Sequence, residues 1–502
     1  MNASPILMLC YSGAMIRVTP SDLRSRDVIA VGLCLLIAGA LFAVFRSHGF
    51  DDPYITYRYA ANVASGRGFV YNPGLTVLST TAPLYALLLA PVAAIGLPLP
   101  LVSNLICCLS MGAGGLAIWY LGRTWDDPLA GFVGATLYMA SPFQMPTIGA
   151  ETSFVLALVL WAFVAASGAR WRTVAVLLGL ATVARADTLL VGLVMAILLV
   201  AGRVRLGGLA WRSLPWGAAA IYALLLAPWL IFAQAYYGSP IPATLAAKRH
   251  QMQIVGSRSF GQGLLERVGN LWALPAYRLL LILALVGVVY SLIRRHSALG
   301  LLGWAALYGL AYTLLGVTSY FWYYSPVFLG LIIAAALGVS AISAAAQRLI
   351  HPRAAAAVGL ALAALVLAAE VVDLADQAAR PDPRLTIYRG VGDWLAQHTP
   401  VDATVGTLEV GVIGYYSQRT IIDFAGLIQP EVATLFDSRH GYLEAANWAT
   451  EHYRPNYLVL QDVLPLLQVT PDLAARCAAL VTFPDPRPTQ SMTIYQCNWG
   501  SP

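Results

Sequence analysis

Residues 28–74 read VIAVGLCLLIAGALFAVFRSHGFDDPYITYRYAANVASGRGFVYNPG, an uncharged apolar run over 28–45 followed by a polar stretch with two adjacent aspartates. An apolar helix of that length spans about 27 Å, close to the thickness of a bilayer's hydrocarbon core. Arg17, Arg24 and Arg26 precede the run, and it carries no small-residue cleavage pattern. It therefore reads as a retained first transmembrane helix that starts in the cytoplasm and delivers the aspartate-bearing stretch to the opposite side.

The same pattern recurs outward from this point. Of 502 residues, 59% are hydrophobic and 11% charged, whereas soluble domains carry about 25% charged residues. That excludes an ordinary soluble protein, a disordered chain, collagen and a disulfide mini-scaffold. Further spans are legible at 101–121, 129–147, 151–168, 214–233, 276–293, 298–318, 324–346 and 354–372. Residues 83–96 fit a short span or a re-entrant helix, and 172–201 fit one long helix or two short ones meeting near Arg185. Placing Arg123, Arg170 and Arg172 in the cytoplasm favours the re-entrant and two-helix choices. Either consistent choice gives about eleven spans, with Arg203, Arg205, Arg212, Arg294, Arg295, Arg348 and Arg353 cytoplasmic and the C-terminus outside.

Charge divides the chain. Residues 1–372 hold 22 basic and 10 acidic side chains, and residues 373–502 hold 8 and 14. The expected fold is a polytopic α-helical membrane protein of about eleven transmembrane helices (1–372) with a C-terminal extracytoplasmic α/β domain (373–502). In the tail, an amphipathic segment at Tyr388–Gln397 precedes β-rich runs (TVGTL, RTIIDF, NYLVL, ALVTF, MTIYQC) interleaved with helical stretches such as 442–453. Cys477 and Cys497 could pair in an oxidising compartment or remain two buried thiols.

Several ionisable residues require a reason. Asp51 and Asp52 follow the first span, where a helix C-terminus disfavours carboxylates and no neighbouring lysine offsets them. The segment DDPYITYRYA, with Tyr54 and Arg58, has the spacing of an interfacial helix roofing a cavity. A carboxylate there can act as general base on a sugar hydroxyl. Glu151 in IGAETSF and Arg185 with Asp187 in VARADTLL lie between apolar runs, so they face a cavity or one another; an ion pair stitching helices together is the alternative. Lys248 in GSPIPATLAAKRHQ is the chain's only lysine, beside Arg249, and a compact ammonium suits a phosphate. The aromatic run Tyr320–Tyr324 is read first as an interfacial belt.

With these residues in place, the chain resembles the GT-C superfamily of integral-membrane glycosyltransferases. The branch includes protein O-mannosyltransferases, the aminoarabinose transferase of lipid A, and actinobacterial arabinofuranosyl- and mannosyltransferases. The resemblance covers nearly the whole chain. DDPYITYRYAANVASGRGFVYNPG with VLSTTAPLYALLLA looks like the family's acidic first loop and its continuation, and GAET, ARAD, GSPIPATLAAKR and VGVIGYYSQRTIIDFAGL look like later blocks.

The resemblance implies inverting transfer of a sugar from a polyprenyl-phosphate donor to an acceptor hydroxyl on a glycan, lipid or protein. It implies a cell (inner) membrane location with the N-terminus cytoplasmic, contact with membrane lipids, and no nucleic acid. By position, Asp51 or Asp52 would be the general base, and Lys248, Arg249 and Arg185 would bind the donor phosphate. Glu151, Asp187, Arg58 and Tyr54 would position substrate. Relatives often carry Arg-Pro-Glu where this chain has Arg185-Ala186-Asp187. Some members use a divalent cation and others do not, so no metal ligand is assigned. The rival readings are a lipid or glycolipid flippase and a non-catalytic membrane scaffold. The two halves show no inverted repeat, which weighs against a transporter.

Overall fold

The structure, a computed structural model, describes residues 25–205, 214–254, 256–436, 441–485, 487 and 490–500. Arg17, Arg24 and Arg212 lie outside the described residues. The chain is mostly helical. The first nine helices are α1 (Ser25–Phe45), α2 (Asp52–Ala64), α3 (Pro83–Ala94), α4 (Leu99–Thr124), α5 (Pro128–Met139), α6 (Thr152–Ser167), α7 (Trp171–Ala184), α8 (Leu189–Arg205) and α9 (Trp216–Tyr237). Then come α10 (Ala243–His250), α11 (Phe260–Ala273), α12 (Pro275–Arg294), α13 (Leu299–Leu315), α14 (Ser325–Ala346) and α15 (Pro352–Ala379).

Among the described residues, six helical stretches are long and apolar enough to cross a membrane: Asp27–Phe45, Leu99–Thr124, Trp216–Tyr237, Pro275–Arg294, Phe321–Ala346 and Pro352–His398. Other apolar helices are shorter, among them α3, α5, α6, α7 and α13. The expected span at 129–147 ends early, at Met139. Pro142 follows Ser141 there, and the residue before a proline is pushed out of helical geometry. At 172–201 the two-helix choice holds, because Arg185 adopts extended backbone (φ −153°, ψ 120°) between α7 and α8. The 12 residues of α3 span about 18 Å, too short to cross a bilayer core alone.

Beyond α15 the chain enters a mixed unit through α16 (Pro383–His398) and α17 (Gly411–Ser417). All five β-rich runs become strands: β1 (Thr404–Thr407), β2 (Thr420–Asp423), β3 (Tyr457–Gln461), β4 (Cys477–Phe483) and β5 (Met492–Cys497), in sheet order β2-β1-β3-β5-β4. β1 runs parallel to β2 and β3, and β5 runs antiparallel to β3 and β4. Every residue of β3 is buried, as expected for an apolar run covered on both faces. Cys477 and Cys497 face each other across β4 and β5 and form a disulfide, which settles the open pairing.

One apolar core lies within the helical bundle, around residues such as Leu160, Trp304 and Ile333. A second belongs to the tail and draws in Ile55, Tyr59, Phe69, Tyr71 and Ala247 from the polar stretch after α1 and from α10. The aspartate-bearing loop is therefore packed between bundle and tail.

Candidate active site

Both aspartates sit at the start of α2 rather than at the end of α1, which stops at Phe45. The expectation of an unfavourable dipole is thereby corrected, since the positive end of a helix favours carboxylates. Their side chains diverge. Asp52 lines a cavity of about 320 Å³ and pairs with Lys248 at 3.0 Å. Asp51 instead accepts from the backbone N–H of Gly411 at 2.8 Å and of Val412 at 2.7 Å, at the start of α17. Burial, with Glu409 nearby, pushes the Asp51 carboxyl up to about 8, against the opposing pull of those two hydrogen bonds.

Lys248 occupies the last turn of α10 and is buried. Its ammonium lies 4.9 Å from the ring centres of Tyr320 and Trp322 and 5.6 Å from that of Tyr323. Those rings were expected as an interfacial belt; three of them enclose a cation, where their negative faces stabilise it. Burial disfavours the ammonium, but the Asp52 carboxylate and the Tyr323 and Tyr320 side chains outweigh it and hold its pKa above the ordinary lysine value. Arg249, the next residue, is exposed and does not line the cavity.

Arg185 stands where α7 unwinds, and its guanidinium joins two carboxylates that also line the cavity. It donates to Glu151 Oε1 at 2.9 Å and to Asp187 Oδ2 at 2.6 Å. Tyr312 adds a hydrogen bond to the same Asp187 oxygen at 2.7 Å. Glu151, at the entrance to α6, Arg185 and Asp187 therefore form the ion-paired cluster given as the alternative reading, and that cluster is also part of the cavity wall.

Two expected positioning residues lie elsewhere. Arg58 is 2% exposed and does not line the cavity. It donates to the carbonyls of Tyr71 at 2.9 Å, Arg419 at 2.6 Å and Gly414. Tyr54 packs against the rings of Tyr57, Tyr415 and Tyr416. Both residues face the junction with the tail, because α2 turns one flank to α17 and the other to the cavity.

Sequence reading missed the rest of this junction. Asn72 pairs with Ile421 in both directions, donating at 2.8 Å and accepting at 3.1 Å, as a neighbouring strand would. Tyr71 donates to the Val410 carbonyl. A Cβ at Gly414 would stand 1.7 Å from the Tyr71 hydroxyl, and one at Gly411 would stand 2.0 Å from the Asp51 carbonyl oxygen, so both positions require glycine. Asp423 accepts from the backbone N–H of Ala425 at 2.7 Å, of Ile428 at 2.9 Å and of Leu427. That loop carries Leu427 to the cavity wall. Burial raises the Asp423 carboxyl to about 7. The glycines of VGVIGYYSQR were the available signal, but their partners, Asp51, Arg58 and Tyr71, lie more than three hundred positions away in the chain.

Among the described residues, no group of three or more His, Cys, Asp or Glu side chains is arranged to hold a metal ion. The cavity's carboxylates are engaged by Lys248 and Arg185 instead.

A family model described as a domain of unknown function (DUF8728) matches residues 375–495. No curated protein matches the sequence. Solved structures do resemble it. ArnT from Cupriavidus metallidurans bound to undecaprenyl phosphate is 14% identical with a TM-score of 0.59, over 93% of this chain and 97% of that one. The same protein in the apo state gives a TM-score of 0.61 at 12% identity, with the same coverage. An Archaeoglobus fulgidus oligosaccharyltransferase tethered with an acceptor peptide is 14% identical with a TM-score of 0.58, over 96% of this chain and 75% of that one. The chain therefore has the GT-C fold, and with its long apolar helices it is an integral membrane protein.

Proposed function

We propose that the chain is an inverting glycosyltransferase that moves a sugar from a polyprenyl-phosphate donor to an acceptor hydroxyl on the extracytoplasmic face of the membrane. The observation that carries this reading is the meeting of Asp52, Lys248, Arg185, Glu151 and Asp187 on one cavity of about 320 Å³. A neighbour of the same fold was solved with undecaprenyl phosphate and another with an acceptor peptide, which supports a lipid-borne donor and a separate acceptor. The family match at 375–495 supports reading 373–502 as a unit beside a membrane module over 1–372.

The chemistry follows from the two ends of the ion pair. Asp52 takes the proton from the acceptor hydroxyl as that oxygen attacks the anomeric carbon. The bond from that carbon to the phosphate oxygen breaks, and its electron pair leaves with polyprenyl phosphate. Attack from the face opposite the leaving group inverts the centre. Lys248, held in place by three rings, stabilises the charge that develops on the phosphate. A phosphate bound at Lys248 would release Asp52 from its ion pair to serve as base. Arg185 is already neutralised by Glu151 and Asp187, so the cluster is read as the wall that orients donor and acceptor.

The test is acceptor-dependent release of polyprenyl phosphate from a panel of polyprenyl-phosphate sugars by protein in nanodiscs. Release that disappears in Asp52→Asn is the expected result. Absence of release across the panel from folded protein would overturn the reading and turn attention to a flippase.

A further inference from the structure

α11 (Phe260–Ala273) is tied at both ends to one end of the helical bundle. At its start the Phe260 N–H donates to the Val317 carbonyl at 2.9 Å, just beyond α13, and a Cβ at Gly261 would stand 2.9 Å from the Thr313 side chain in the last turn of α13. At its finish Leu274, in extended backbone (φ −93°, ψ 125°), separates it from the start of α12. The finish of α13 and the start of α12 lie at the same face as the finish of α15, which leads into the tail. A helix strung between them lies along that face rather than across the bilayer.

The residues of α11 divide among three sides. Phe260, Gly263 and Leu271 are buried against the bundle. Leu265, Val268 and Trp272 are 74%, 38% and 52% exposed and fall within about 60° of one another at 100° per residue. Gln262, Glu266 and Asn270, also exposed, form a polar strip roughly 120° further round. The apolar strip does not stop at the helix end. Arg278 lies 5.6 Å from the Trp272 ring centre and heads the exposed strip Ile282, Leu285 and Val289 of α12, a helix long and apolar enough to cross a membrane.

α11 also carries the loop around Lys248. The Ser319 N–H donates to the Arg258 carbonyl at 2.8 Å and the Tyr324 hydroxyl to the Phe260 carbonyl at 2.9 Å. Arg267 lies 4.8 Å from the Tyr324 ring centre. Between Ser319 and Tyr324 stand the three rings that enclose the ammonium of Lys248.

We propose that α11 is an interfacial helix whose partner is the phospholipid surface on the tail's side of the membrane, and that it seats the ring loop of Lys248 on that surface. Leu265 and Val268 enter the acyl chains, and Trp272 with Arg278 stands at headgroup depth, where such side chains are at home. A helix with one apolar and one polar exposed strip lies in the plane of the interface. Continuity of the apolar strip with the exposed side of α12 makes lipid the occupant rather than a second protein. The inference does not depend on sugar transfer.

The experiment uses full-length protein in nanodiscs of phosphatidylethanolamine and phosphatidylglycerol. Leu265→Cys, Val268→Cys, Glu266→Cys and Asn270→Cys are each labelled with a water-soluble maleimide, with unsubstituted protein as background. Thiols at 265 and 268 should react about tenfold more slowly or less than those at 266 and 270, because the reactive thiolate is disfavoured among acyl chains. Leu265 is 74% exposed on the protein itself, so only lipid can shield that position. Equal labelling at all four positions would overturn the interfacial placement. The seating role is read from backbone hydrogen exchange at Phe260 and Ser319. Leu265→Glu with Val268→Glu should speed it by about tenfold or more, while Leu265→Met with Val268→Ile leaves it unchanged. Exchange unaffected by the two glutamates would overturn the seating of the ring loop. Neither readout needs a donor or an acceptor, so failure here and failure of the transferase reading are separate results.

Discussion

The cavity wall and the junction with the tail share α2, and they use polar groups in opposite ways. At the cavity, side chains answer side chains: Asp52 meets Lys248, and Arg185 meets Glu151 and Asp187. At the junction, side chains answer backbone: Asp51 holds the N–H groups of Gly411 and Val412, Arg58 holds three carbonyls, and Asn72 pairs with Ile421 in both directions. Backbone partners fix position and leave little capacity for a ligand. Side-chain ion pairs can exchange partners when a phosphate or a hydroxyl arrives. On the proposed function, the same residue types build a joint on one flank of α2 and a reactive surface on the other.

Substitutions at the two flanks should fail differently, and the largest effect is expected at Asp52. Asp52→Asn should lower transfer by about 10²–10⁴-fold, the range for a lost general base, beyond what the lost ion pair with buried Lys248 takes from a protein that circular dichroism still shows folded. An active Asp52→Asn enzyme would remove the contrast, because the cavity carboxylate would then do no more than the one at the junction. Lys248→Met should follow, with turnover down by roughly 10²–10³-fold as the leaving phosphate loses its counter-charge. Its three rings would remain to hold the aliphatic replacement, so thermal unfolding should report a folded protein. At the junction, Arg58→Met should instead cost about 2 kcal/mol of stability, because the buried Arg419 carbonyl loses its donor while the Tyr71 carbonyl keeps Asn62 and the Gly414 carbonyl keeps the Gln418 N–H. Limited proteolysis would show it as early cleavage between the bundle and residues 373–502, with loss of activity following the loss of docking.

Much of the fold was legible because its signals are local. Uncharged runs longer than a bilayer's half-thickness marked the long helices, and all five β-rich runs in the tail became strands. Glu151, Arg185 and Asp187 were found because charge between apolar runs is costly wherever it falls. The division of labour between Asp51 and Asp52 was not legible. It depends on where α2 begins and on α17 lying against it, and neighbouring aspartates look alike until both are known. Arg58 was misread for a related reason: backbone carbonyls leave no mark in a sequence, so an arginine that binds three of them resembles one awaiting an anion. The rings at Tyr320–Tyr324 were visible as a cluster, but enclosure of Lys248 joins residues more than seventy positions apart.

The smallest and most discriminating effect is expected at Asp51. Its carboxyl stands at about 8 in the folded protein, against an ordinary value of 3.8. The folded state thus holds this proton more tightly than the unfolded chain does. The resulting stabilisation is complete below the ordinary carboxylate range, declines as pH rises, and is gone above about pH 8. Glu409, also raised by burial, contributes with the same sign. Asp51→Asn removes the charge as protonation does, but its amide nitrogen cannot accept from one of the Gly411 and Val412 N–H groups, so at neutral pH it should cost about 1 kcal/mol. Thermal unfolding from pH 4 to 9 should give a shallower pH dependence for the variant than for wild type, while transfer at pH 7 stays within a few-fold. Parallel curves would mean that Asp51 remains ionised against the Gly411 and Val412 amides, making the junction an anion bound at a helix start. A collapse of transfer to the level of Asp52→Asn would place both aspartates in the reaction and dissolve the distinction between joint and reactive surface.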